Sequence, residues 1–283
     1  MWYDYRTMVS FRERCIALRK RGLSLNQIAR KTGRPKTSVF FHVRDIPLSE
    51  VRKKEICLAA TRRIAAYSRS IKGKSRFQRH PVPFEIWDAE LVSLLAHILF
   101  DGTVTYGGCV YTNRSEVLLD HVTKYMYRAF PYPPKRYESV PGVYKVAFHS
   151  VELQPFLRKK KRELITVVST MTKELQRVFL RAFFDDEGSV YFIGNRRAIR
   201  GYQHDEKILW LIQKLLKDFG IESTVGAPYN EITITRRENI ERFAKEINFT
   251  AGVRVNGLRK NSIWKQSLEK RNILANALAS YQR

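Results

Sequence analysis

Residues 179–190 read FLRAFFDDEGSV, an apolar run at helical spacing that ends in three carboxylates and a glycine and passes at once into strand-forming residues. Residues 94–104, LLAHILFDGTV, follow the same plan with a single acid. A carboxylate at the end of so apolar a run loses hydration unless a cation, a hydrogen-bond donor or a proton meets it. In a chain of formal net charge +25 that placement asks for a reason. Asp101 and Glu187, each the acid just before a glycine, stand 86 residues apart and form the candidate pair. Other chemistry finds no foothold: there is no P-loop, dinucleotide fingerprint or HExxH, and the six histidines lack ligand-like spacing. Cys15, Cys57 and Cys109 are too few and too scattered for a disulfide framework or a zinc site, and read as reduced, mostly buried thiols.

The elements that must position the acids repeat as well. Asp88 is placed to N-cap a helix whose apolar face is Leu91, Leu94, Leu95, Ile98 and Leu99. The 86-residue offset that relates Asp101 to Glu187 also maps Val122 to Ile208, Met126 to Ile212, Val146 to Ile232 and Phe148 to Ile234. Each half reads as a helix, acid-Gly, a hairpin, a helix, a hairpin or strand, and a terminal helix. Strands are expected near TVTYGGCVYT and GVYKVAFH, then near SVYFIGN, AIRGYQ and EITIT. Without alternating βα units, the duplication predicts an α+β fold with an antiparallel saddle. The tail from Leu258 onward reads as an amphipathic helix that supports the core.

Charge is uneven. Residues 1–80 hold 21 Lys or Arg against 5 Asp or Glu, which predicts a module for a polyanion, against the blander reading of a ribosomal-type or supercharged chain. Ser24 can N-cap a short helix carrying Ile28 and Ala29, Gly33 permits a tight turn, and Pro35 starts a second helix carrying Val39 and Val43. This resembles a helix-turn-helix, which would lay its second helix in the DNA major groove with Lys36, Thr37 and Ser38 near its start and Arg44 near its end. One of Phe40 and Phe41 is expected in the core. No stretch is apolar enough for a membrane span and the start lacks a signal-peptide core, so the expected setting is cytoplasmic, nucleoid-associated in a prokaryote.

With these residues in view, LLAHILFDG and LRAFFDDEG resemble the two copies of the nine-residue motif that names the LAGLIDADG homing endonucleases, here in one chain and over residues 88–256. The resemblance implies two αββαββα halves whose motif helices cross at a pseudo-twofold axis, with Ala96 and Ala182 small enough for close approach. It implies that Asp101 and Glu187 hold a divalent metal, Mg²⁺, beside the scissile phosphates of double-stranded DNA, where a cation stabilises the charge of the transition state. It also implies a basic residue near each phosphate, here Arg158 and Arg254. Asp185 reads as structural, Asp186 as peripheral and His97 as a satisfied interface residue. The tight turn at Tyr106–Cys109 marks a short ribbon, so half one touches few base pairs and recognition moves toward the N-terminus.

The expected layout is a helix-turn-helix domain at 1–46, a basic helical linker at 47–87, a first half at 88–157, a basic linker at 158–174, a second half at 175–256 and a C-terminal helix at 257–283. The expected protein is a monomer with internal pseudo-twofold symmetry. It is a metal-dependent DNA endonuclease or, alternatively, a DNA-binding transcriptional regulator that no longer cleaves; an RNA-splicing maturase is also compatible with the fold. Removing residues 1–46 is expected to weaken duplex-DNA affinity and flatten its salt dependence, because phosphate contacts release counterions. Binding titrations at several salt concentrations check this, and an unchanged slope would remove the helix-turn-helix from recognition.

Overall fold

The computed structural model describes residues 10–71, 86–257 and 262–281. Two compact units divide the chain, Met1–Gln78 and Arg79–Arg283.

In the first unit, α1 (Phe11–Lys20) and α2 (Leu25–Thr32) each begin with a capping box, Ser10 with Glu13 and Ser24 with Gln27. Gly33, at φ 68°, ends α2 in the left-handed region, and α3 (Lys36–Val43) follows directly after Pro35. The small core is Cys15, Ile28, Val39 and Val43, with Phe11, Leu18, Leu23, Leu25 and Ala29 packed against it. Phe40 and Phe41, one of which was expected in this core, are 48% and 68% exposed. Val39 and Val43 occupy the inward stripe four residues apart, and that turns both rings outward. A long helix, α4 (Glu50–Ile71), is anchored where Arg52 Nε donates to the Gly22 carbonyl at 2.9 Å. Of the expected linker, residues 72–85 lie outside the described residues.

The second unit is α+β, two αββαββα repeats. Repeat one runs α5 (Ala89–Phe100), β1 (Gly102–Thr105), β2 (Gly108–Asn113), α6 (Glu116–Ala129), β3 (Lys135–Val140), β4 (Val143–His149) and α7 (Leu153–Val167). Repeat two runs α8 (Lys173–Glu187), β5 (Gly188–Ile193), β6 (Arg196–Tyr202), α9 (Glu206–Asp218), β7 (Thr224–Gly226), β8 (Glu231–Ile234) and α10 (Arg237–Glu246). Each repeat forms a four-stranded antiparallel sheet, in the orders β1-β2-β4-β3 and β5-β6-β8-β7. The edge strands β3 and β7 escaped sequence reading because β3 is exposed along its whole length and β7 has three residues, so neither shows an alternating apolar face.

Three expectations need correction. Residues 158–174, basic enough to read as a linker, are largely helical: Leu157, Leu164 and Val168 form a buried stripe on the α7 side while lysines and arginines fill the rest. Among its described residues the tail is helical only at α11 (Lys270–Ala279). Residues 258–261 lie outside the described residues, and the described chain before α11 is irregular, bending at residues 263–266 and tied back by an Arg254–Glu269 antiparallel bridge, with Val255 N–H donating to Leu268 and Lys270 N–H to Val253, both at 2.8 Å. The constant 86-residue offset also fails in one place. Gly102 pairs with Tyr111 and Tyr111 with Val146, whereas Gly188 pairs with Gly201 and Gly201 with Ile232. The offset is thus 86 for α5/α8 and β4/β8 but 90 for Tyr111 to Gly201 and for the helix caps Ser115 to Asp205, because the β5–β6 hairpin is longer. Val122 therefore corresponds to Ile212, one helical turn beyond the position the constant offset assigns.

The core is shared by both repeats and centres on α5 against α8, with Ala96 and Ala182 fully buried between them. Phe100 packs edge-on against Phe179 and Phe183 at centroid distances of 5.6 and 5.1 Å. Phe183 in turn lies over Gly201, where an added Cβ would fall 2.4 Å from the ring. Gly201→Ala is expected to lower stability by about 1–3 kcal/mol through overpacking, read as a shift of the urea midpoint.

Candidate functional site

The two motif helices deliver their acids to one place. Glu187 is the last residue of α8 and Asp101 caps α5; both line an open cleft of about 910 Å³ together with Asp185, Asp186, Asn113, Arg254 and Lys270. The glycine after each acid has a steric reason. A Cβ on Gly102 would fall 2.6 Å from the Ile98 carbonyl oxygen, and one on Gly188 would fall 2.3 Å from that of Phe184, so only glycine lets the strand turn back so tightly over its own helix.

Those two carbonyls mark a symmetry that sequence reading missed. Lys161 Nζ, on α7, donates to the Ile98 carbonyl at 3.3 Å, and Lys270 Nζ, on α11, donates to the Phe184 carbonyl at 3.1 Å and the Asp185 carbonyl at 2.7 Å. A lysine thus stands against the C-terminal carbonyls of each motif helix, one from repeat one and one from the helix that follows repeat two, where positive charge is favoured. The lysines themselves are 109 residues apart and so fall outside the repeat offset. A signal was present all the same: Lys161 sits on the apolar stripe of Leu157, Leu164 and Val168, and Lys270 on that of Ile273, Leu274 and Ala277. A lysine on the buried side of an amphipathic helix needs a partner inside.

Asp186 is not peripheral. Its side chain is fully buried and accepts from Tyr111 Oη at 2.7 Å, with His97 Nδ1 at 2.9 Å from its other oxygen. Asn113 Nδ2 reaches Asp101 Oδ2 at 2.8 Å, the Tyr111 hydroxyl at 3.1 Å and Asp186 Oδ1 at 3.3 Å. Asp185 accepts the Thr250 N–H at 2.8 Å on Oδ1, while its buried Oδ2 has no hydrogen-bond partner among the described residues. Glu187 makes no side-chain hydrogen bond or ion pair among the described residues.

These contacts set the protonation chemistry. Burial, then the charges of Asp186 and Glu187, push Asp101 up to about 7. Burial, then Asp186, pushes Glu187 up to about 7. Burial pulls the Lys270 ammonium down, against the four carboxylates around it. Burial would lower His97 too, but the hydrogen bond and charge of Asp186, together with the charges of Asp185 and Asp101, outweigh it and the imidazole is raised. Among the described residues no three or more His, Cys, Asp or Glu side chains converge as a metal cage. The donors present, two partly buried carboxylates in one cleft, each raised by burial and like charge, instead suit a hard cation that takes one or two carboxylates and keeps several waters. Zinc-type closure does not fit.

The other expected site residues are scattered. Arg254 does line the cleft, held by Ser267 through Nε to Oγ at 3.0 Å and Nη2 to the carbonyl at 2.6 Å. Arg158 is exposed on α7 and outside the cleft; Lys161, three residues on, is the one that turns inward. In the first unit, Lys36 and Thr37 are exposed on the opening turn of α3 with Ser38 half-buried, and Arg44 follows its last residue, 3.4 Å from Asp45. No helix among the described residues is long and apolar enough to cross a membrane.

Residues 174–248, α8 through α10, match the LAGLIDADG-like domain family. No curated protein matches the chain. Among solved structures, a variant of I-DmoI in complex with its nicked target DNA in the presence of manganese is 17% identical over 56% of this chain and 95% of that one, with a TM-score of 0.43. The N-terminal LAGLIDADG domain of DUF199/WhiA is 21% identical over 60% and 88%, with a TM-score of 0.42. Full-length DUF199/WhiA from Thermatoga maritima is 17% identical over 71% and 69%, with a TM-score of 0.43.

A carboxylate whose folded pKa lies above its unfolded value holds its proton more tightly when folded, so its contribution favours the fold at low pH and is lost as pH rises toward 7. Asp101→Asn removes that loss. Its thermal midpoint relative to wild type is expected to rise between about pH 5 and about pH 8 in metal-free buffer; a difference that stays constant or falls would show that Asp101 ionises without strain.

Proposed function

We propose that this chain, which carries a LAGLIDADG-like domain, binds double-stranded DNA in a sequence-specific manner and hydrolyses its phosphodiester bonds with a divalent metal, Mg²⁺, held by Asp101 and Glu187. The observation that supports this most directly is the meeting of the two acids, one from each repeat, in a single open cleft where both are raised to about 7. The packing does not call for two strained carboxylates there, whereas a cation held between them and a phosphate would.

When bound, the metal would lower the pKa of a water and stabilise the charge of the transition state and leaving oxygen. The chain's own residues do the rest. Asp101 and Glu187 supply oxygens from opposite sides of the pseudo-twofold axis, one toward each strand. Lys161 and Lys270 secure the carbonyls at the ends of the two helices, so that each acid leaves its helix in a constrained direction. Arg254, fixed by Ser267, offers a phosphate contact at the cleft. The helix-turn-helix unit carries recognition, with Lys36, Thr37 and Ser38 at base edges or phosphates and Arg44 at the backbone. The protein acts as a monomer, since both repeats are present in one chain.

The test is strand cleavage at a mapped binding site with Mg²⁺, with Mn²⁺ and with EDTA. Wild type is expected to cut with either metal. Asp101→Asn and Glu187→Gln are expected to slow cutting at least ~100-fold while binding persists or tightens, because a negative charge facing phosphate is removed. Tight binding with no cutting in either metal would replace the nuclease by a DNA-binding regulator. Metal-dependent cutting that survives both substitutions would assign the chemistry to other residues.

A further inference from the structure

The two repeats share a backbone plan but not the side chains around their acids. On the repeat-one side of α5 against α8 stand His97, Tyr111 and, from repeat two, Asp186. The offsets of 86 and 90 residues place Phe183, Gly201 and, from repeat one, Phe100 at the equivalent positions on the other side. The exchange is complete: a hydrogen-bonded His–Asp–Tyr trio faces an edge-on Phe–Phe pair seated over a glycine. Asn113 and its register equivalent Gln203 both accept the backbone N–H two residues on, at 2.9 and 3.2 Å, so the two amides start from the same local geometry. Asn113 then donates to Asp101 with support from the Tyr111 hydroxyl and Asp186, whereas Gln203 makes no hydrogen bond to Glu187 among the described residues.

We propose that Asp186 and Tyr111 are positioning residues for Asp101. Together with His97 they orient the Asn113 amide, so that the acid of repeat one is held in place by a carboxylate from repeat two while Glu187 receives no such support. The inference rests on the proposed nuclease reading and adds to it an inequality between the two half-sites. The physical reason is that a side-chain amide held only through its oxygen, as by the Ser115 N–H here, can still tilt until its donor also meets fixed acceptors; Tyr111 Oη and Asp101 Oδ2 are those acceptors, and Asp186, locked by His97, fixes the first of them. In repeat two the same volume is filled by rings with no polar atoms.

Tyr111→Phe tests this with little disturbance of packing, since it deletes only the hydroxyl. Cutting of each strand of the mapped site is followed separately, and Mn²⁺ uptake by the protein–DNA complex is titrated by calorimetry. The strand slowed more by Asp101→Asn than by Glu187→Gln identifies the Asp101 half-site. Outer-shell losses of this kind run to ~10–100-fold, so Tyr111→Phe is expected to slow that strand about tenfold or more, leave the other within about twofold, and weaken one Mn²⁺ site only. The triple variant His97→Phe/Tyr111→Gly/Asp186→Phe, which copies the packing that repeat two already tolerates, is expected to have the same strand bias. Equal slowing of both strands, or no effect on cutting and on Mn²⁺, would overturn the positioning role while leaving the nuclease reading intact. A wild type that neither cuts nor takes up Mn²⁺ would overturn that reading and this inference with it. If wild type takes up Mn²⁺ without cutting, the reading fails and the Mn²⁺ arm still decides: loss at one site supports positioning, and unchanged uptake overturns it.

Discussion

Close packing of α5 against α8 is the constraint on which the rest of the second unit depends. Ala96 and Ala182, buried between the helices, carry no side chain beyond Cβ, and the helices can therefore run together to their C-terminal ends. Both helices end in acid-Gly, so their approach forces two carboxylates into one partly buried cleft. Larger residues at either alanine would separate the helices and with them the acids. The sheets, which extend from the glycines, would follow.

Bringing charge into such a place is unfavourable unless it is met by partners, and the molecule meets it unevenly. Asp186 is satisfied by His97, Tyr111 and Asn113; Asp185 is half-satisfied by Thr250; Asp101 has one amide; Glu187 has none. Lys270 spends its hydrogen bonds on backbone carbonyls and faces the acids only as a charge. Satisfaction is thus highest at Asp186 and lowest at Glu187 in the cleft and at the buried second oxygen of Asp185. A purely structural network would be expected to close on itself. Its side chains also differ across the pseudo-twofold axis: like-with-like pairing of the repeats would set the Asp186 carboxylate against Phe183, a buried charge with no partner, and the polar trio therefore also favours pairing of unlike repeats.

The two units divide the electrostatic work. Most of the net positive charge lies in the first 80 residues, whereas the clustered acids and Lys161 and Lys270 stand at the motif-helix ends of the second unit. Among the described residues of the first unit the core is small, and Phe40 and Phe41 on α3 stay exposed. In the second, the motif helices bury an apolar face from Leu91 to Ile98 and from Phe179 to Phe184, with His97, Gln176 and Asp185 as the buried polar residues among them.

Local patterns carried much of this in one dimension. Helical spacing and caps located α2, α3, α5 and α8; acid-Gly marked where the motif helices stop; the repeat offset paired Asp101 with Glu187. These are legible because they depend on neighbours within a few residues or on a period that recurs along the chain. Edge strand β3 was not legible, since a strand exposed on both faces has no hydrophobic alternation to read. Nor were the partners of the acids. Lys270 lies 83 residues beyond Glu187, Tyr111 and Asp186 come from different repeats, and the hairpin β5–β6 shifts the register that would have aligned Tyr111 with Gly201. By itself the sequence determined that two acid-tipped apolar helices exist and that they are related. Only the tertiary structure decided which carboxylate is buried, which is held and which is left open. Burial and hydrogen bonding of a side chain depend on groups that are close in space, and in this fold those groups are drawn from opposite repeats.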